Sequence, residues 1–80
     1  MDLEIKNKIK AIEEMIQVVL LAIPREISAR DFYLNAAQRA TSDDARELFS
    51  SLASQEIGHE AELRRILESL KNELAGLRGN

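Results

Sequence analysis

Turn-forming residues cluster at one place in this chain. Thr41-Ser42-Asp43-Asp44 sits at the midpoint of the eighty residues; elsewhere there is one proline, Pro24, and three glycines, Gly58, Gly76 and Gly79. No segment alternates apolar and polar residues as a strand would. Thr41 or Ser42 can cap a new helix, and two aspartates suit its positive N-terminal end. Gly76 and Gly79 close the pattern. The expectation is an all-α antiparallel hairpin. One helix spans about residues 3–40, kinked or broken near Pro24. A tight turn follows, then a second helix over about residues 43–77.

The apolar residues define how the helices meet. Ile5, Ile9, Ile12, Ile16, Val19 and Ile23 advance in steps of four and three, the seam of a helix packed on other helices. Continued, those steps reach Glu26, Arg30, Tyr33 and Ala37. The second half offers Ala45, Phe49, Leu52, Glu56, His59, Leu63, Ile66 and Leu70. Glu26, Glu56 and His59 therefore fall where leucines belong. Arg30 does too, although Ile27 and Leu34 beside it could carry the packing. A buried unpaired charge costs several kcal/mol, against about 5–15 kcal/mol for a whole domain. Such residues persist on a seam when they are neutral, paired, exposed or bound to something.

Height along the hairpin brings the three together. If the chain folds back near Ser42, Glu26 lies sixteen residues before the turn, and Glu56 and His59 lie fourteen and seventeen after it. At about 1.5 Å per residue, all three stand roughly 20–25 Å from the turn. Two carboxylates and an imidazole suit iron, manganese or zinc. One hairpin supplies three ligands, an incomplete site. Two-fold pairing of hairpins into a four-helix bundle would gather four glutamates and two histidines.

Composition narrows the alternatives. Eighty residues make one domain, 1–80, with a core so small that oligomerisation is a common remedy. The chain has no cysteine, which excludes disulfides, thiolate metal sites and cysteine nucleophiles. A net charge of -3 with interspersed signs gives no basic patch for nucleic acid. The nearly apolar stretch 15–23 is too short for a bilayer, which needs about 20 residues. It lacks the basic face of a membrane-surface helix and reads as an oligomer contact. Met-Asp-Leu-Glu lacks the basic start of a secretory signal, so a soluble, cytoplasmic protein is expected.

The stretch 26–67, "EISARDFYLNAAQRATSDDARELFSSLASQEIGHEAELRRIL", resembles the rubrerythrin branch of the ferritin-like superfamily. The resemblance rests on Glu26, Ala29, Phe32-Tyr33, the acidic turn, Leu48-Phe49, Leu52-Ala53 and Glu56-x-x-His59. Ferritin-like di-iron proteins draw one Glu from each of two helices and Glu-x-x-His from each of two others. Ordinary members carry both halves on one chain, and rubrerythrins add a cysteine-ligated iron. This sequence has one half and no cysteine, so it looks like the encapsulated ferritins, two-helix half-ferritins that complete a di-iron site between subunits. The resemblance implies Glu26, Glu56 and His59 as iron ligands and Tyr33 as a hydrogen-bond donor to a ligand. It also implies a homodimer, a higher ring of dimers, and an encapsulin shell around them. The implied activity is oxidation of Fe(II) to Fe(III) with dioxygen or peroxide, for iron storage or detoxification. The alternatives are a peroxide scavenger using an external electron donor and a non-enzymatic helical dimerisation module.

The same residues have plainer readings. His59 could be a core histidine bonded to Glu26 or Glu56, setting register as polar coiled-coil residues do. Tyr33 could be simple core. Glu60 and Glu62 read as solvated, with Glu62, one turn from His59, a candidate extra ligand. Gly58 costs about 1 kcal/mol mid-helix relative to alanine unless a neighbouring helix needs the space.

Overall fold

The computed structural model describes residues 2–79. Met1 and Asn80, part of the segments read above as the opening and close of the chain, lie outside that range. Two helices account for nearly all of it: α1, Leu3–Arg39, and α2, Asp43–Leu77. Among the described residues there is no strand. The helices lie side by side as a rod of 61 × 14 × 14 Å. Its radius of gyration is 18.1 Å, well above the about 12 Å of a compact chain of this length. No described helix is long and apolar enough to cross a membrane.

Local chemistry sets each boundary. The Asp2 carboxylate accepts from the Ile5 amide at 2.9 Å and starts α1. Ala40 adopts an extended backbone and ends it. Ser42 Oγ then accepts from the Ala45 amide at 3.1 Å, a cap typically worth about 1 kcal/mol. Arg46 ties the turn together, donating to Asp43 at 2.7 Å and to the Ala40 carbonyl at 3.2 Å. At the far end Gly79 takes a φ of +77°, the left-handed backbone that closes helices and that side chains disfavour.

Pro24 does not break α1, which is continuous across it. The ring removes the amide that would bond the Leu20 carbonyl. Leu20 and Pro24 both face solvent, where water can serve that carbonyl.

The core is thin. Ile9, Ile12, Val19, Ile23, Ala37 and Ala53 are the buried apolar residues, and no large side chain is fully enclosed. Ala53, only 1% exposed, is the most enclosed of the buried residues. Meanwhile Met15, Val18, Leu21, Phe32, Leu48 and Ile57 stand at least half exposed. On α1 a second stripe runs beside the seam: Ala11, Met15, Val18, Ala22, Ala29, Phe32 and Ala36, again in steps of four and three, interrupted only at Arg25. The hairpin thus has apolar surface in heptad register beyond what its own second helix covers. The small face of Gly58 is not used inside the hairpin, since a methyl group there would meet nothing within 4 Å.

Candidate metal centre

Packing on either side fixes the height of the site. Toward the turn, the Tyr33 and Phe49 rings stack at 6.5 Å, and Phe32 meets the Tyr33 ring edge-on at 5.5 Å. Toward the open end begins the isoleucine seam. Between them Glu26 on α1 faces Glu56 and His59 on α2. Each offers one ligand atom, and these atoms lie within 4.8 Å of one another. His59 Nδ1 is 3.4 Å from Glu26 Oε2 and 3.7 Å from Glu56 Oε2.

The three side chains differ in exposure. Glu26 and Glu56 are 25% and 18% exposed, whereas His59 is 60% exposed and stands at the rim of the groove. The seam on α2 is rotated from the simple heptad, so that Ala53 and Glu60 turn toward α1 and His59 turns outward. Glu26 Oε2 is shielded from solvent and has no hydrogen-bond partner among the described residues. Leaving a buried acceptor unmade costs about 1–3 kcal/mol, more for a charged group. The Glu56 carboxyl is held above the usual carboxylate range. The Glu26 carboxyl facing it is the largest cause, followed by burial, with His59 opposing. A cation at that point would satisfy both carboxylates and the orphaned oxygen together. The residues present therefore fit a metal such as iron: the oxygen and nitrogen donors converge, and one has no other partner.

Tyr33 lies one heptad from Glu26, and its ring is committed to Phe49. Within a single hairpin its hydroxyl makes no hydrogen bond to Glu26, Glu56 or His59. Glu62 is apart from the cluster, paired with Arg65, whose cation holds that carboxyl below its usual range.

Glu60 corrects the reading of it as a solvated side chain. It is 18% exposed and held between Arg30 of α1 at 3.5 Å and Arg64 of α2 at 2.9 Å. Arg30 also binds Asp31, at 3.0 Å. The sequence signal was Arg30 itself, a cation on the seam one turn from Glu26 that required an acid across the groove.

Fold and donor set together define the class: a helical hairpin carrying a carboxylate–histidine cluster that could hold a metal ion. A family model described as Rubrerythrin matches residues 17–79, taking in all three clustered residues, and the chain belongs to that family. No curated protein and no solved structure gives a significant match.

Proposed function

We propose that this chain is half of a di-iron ferroxidase, completed when two hairpins pair face to face. Membership of the rubrerythrin family makes a di-iron, ferritin-like oxidoreductase the coarse assignment. The finer reading rests on one observation above the others: Glu26 Oε2, buried without a partner inside a three-ligand cluster. Glu26, Glu56 and His59 would hold the metal, each hairpin supplying one such set. Two inward-facing sets make the six-residue constellation of ferritin-like sites. The exposed α1 stripe offers apolar surface for pairing, and the outward position of His59 leaves it accessible to a partner hairpin.

Bound iron supplies the redox change, with electrons passing to dioxygen or peroxide. The protein's part is geometric. Glu26 and Glu56 bring negative charge into a half-buried groove, which favours uptake of Fe(II), the substrate. His59 presents a ring nitrogen at the rim. The Tyr33–Phe49 stack shields the turn side from water, and the Tyr33 hydroxyl, unpaired in one hairpin, is free to orient a ligand of the paired hairpin. Assembly into a ring within an encapsulin shell belongs to the same proposal and rests on the single three-ligand set of one hairpin.

The family match also favours a second reading, peroxide reduction. These 80 residues include no cysteine, so electrons would come from a donor outside this hairpin.

The test is anaerobic Fe(II) titration with mass measurement, then exposure to air. Uptake of one iron per chain should drive monomers toward dimers, because metal that binds only the assembled form stabilises it by mass action. Fe(III) should then form, and His59→Ala should abolish this while keeping the helical signal. A monomer that binds iron tightly without change of mass sinks the shared site. Turnover that requires peroxide and a donor moves the assignment to the second reading. Tyr33→Phe should still bind metal but oxidise iron about 10–100-fold more slowly, measured by stopped-flow absorbance.

A further inference from the structure

Among the described ion pairs, two join the helices through permanently charged cations. Arg78–Glu13, at 3.1 Å, clips the open end. Arg30–Glu60, at 3.5 Å, lies beside the clustered ligands. Arg30 is one turn after Glu26 on α1, and Glu60 is one turn after Glu56 on α2. Helical side chains lean toward their own N-terminus. Arg30 therefore reaches back along α1 to the level of Glu26, while Glu60 reaches back along α2 to the level of Glu56. The bridge and the ligand pair form neighbouring rungs between the same two helices.

We infer that Arg30, acting through Glu60, is a positioning residue that fixes the axial register of α1 against α2 and so holds Glu26 opposite Glu56 before metal arrives. The inference rests on the metal reading of the cluster. The physical need is plain. A slip of one residue displaces a ligand by about 1.5 Å along the axis, while ligand distances in metal sites tolerate about 0.2 Å. Apolar packing at this height is weak: Ala53 is small, and Ile23 is the only large buried residue within one turn of Glu26. The ion pair instead ties one point of α1 to one point of α2. It is braced on both sides, Arg30 by Asp31 and Glu60 by Arg64. The chain Asp31–Arg30–Glu60–Arg64 alternates in sign and is neutral overall, so it orders the groove without adding to its charge. It has a second consequence. Glu60 is a half-buried carboxylate one turn from a ligand, and two arginines occupy it, which keeps a competing oxygen donor off the metal.

The test uses full-length protein and Co(II), whose visible absorption reports coordination geometry. Four variants are compared with wild type: Arg30→Met, Arg30→Lys, Glu60→Gln and the double Arg30→Met/Glu60→Gln. Co(II) affinity should fall about 10–100-fold in Arg30→Met and Glu60→Gln, the usual loss when a residue that orients ligands is removed, with an altered band shape. Arg30→Lys should recover part of the affinity, and the double variant should lose little more than the worse single. Should Arg30→Met fail to fold, Arg30→Lys and Glu60→Gln, which keep size and shape, carry the comparison. Wild-type binding with unchanged affinity and spectrum in these variants, even with a lowered melting temperature, overturns the inference, since that is what a purely structural bridge would give. Wild type that takes up no Co(II) overturns the metal reading and this inference with it.

Discussion

The two halves of the hairpin are built differently. Toward the open end, α1 carries Ile9, Ile12, Val19 and Ile23, four of the six buried residues. From Glu26 to the turn, only the two alanines Ala37 and Ala53 are buried, and charged groups occupy the groove. One half is apolar seam with little chemistry. The other has the chemistry and a seam diluted by it. Stability is concentrated where function is absent, so the isoleucine end can hold together a ligand layer that would not hold itself.

The largest disruption should come from removing the apolar half. Deleting residues 1–22 leaves Glu26, Tyr33, Glu56 and His59 in place but strips Ile9, Ile12 and Val19. Circular dichroism should show loss of cooperative folding, and sedimentation should show loss of assembly. A truncated protein that remains helical and oxidises iron at full rate would mean the ligand layer is self-supporting. Next in size is Ile12→Ala. Deleting most of a buried isoleucine side chain should cost about 2–5 kcal/mol, seen as a lower melting temperature of metal-free protein, while the metal affinity of the folded fraction holds.

Glu26→Ala tests the same contrast from the other side. It removes an orphaned buried oxygen and its repulsion with Glu56. Metal-free stability should be unchanged or higher in denaturant titrations, while metal binding is lost. A marked loss of metal-free stability would make Glu26 a structural partner of His59. The smallest expected effect is Gly58→Ala. With nothing within 4 Å of the added carbon, the gain in helix propensity should stabilise the hairpin by up to about 1 kcal/mol. Instability of the assembled form alone would place Gly58 at a subunit contact.

How much of this was readable in the sequence follows the range of each interaction. Helix limits rest on nearest-neighbour chemistry: Ser42 and Gly79 act within a few residues and stand where the pattern put them, whereas Gly76, also read as an end signal, lies inside α2. Glu26 meeting Glu56 and His59 was legible because helical rise is constant and the turn is short. Glu60 was missed. Its burial depends on an arginine thirty residues away and on a slight rotation of α2. The same rotation leaves His59 at the rim, which heptad counting cannot show. Pro24 was misjudged as a potential break because the penalty of a missing amide depends on whether water reaches the freed carbonyl, a property of the surface.

The rod shape has a hydrodynamic consequence. A body of 61 × 14 × 14 Å tumbles anisotropically and sediments slowly for its mass. If two such rods join along their lengths, the particle thickens without lengthening, and friction rises less than mass. If they join end to end, the axial ratio doubles and friction rises steeply. Sedimentation velocity, read together with small-angle scattering, would therefore tell lateral pairing from any other mode of association without a label, a mutation or a metal.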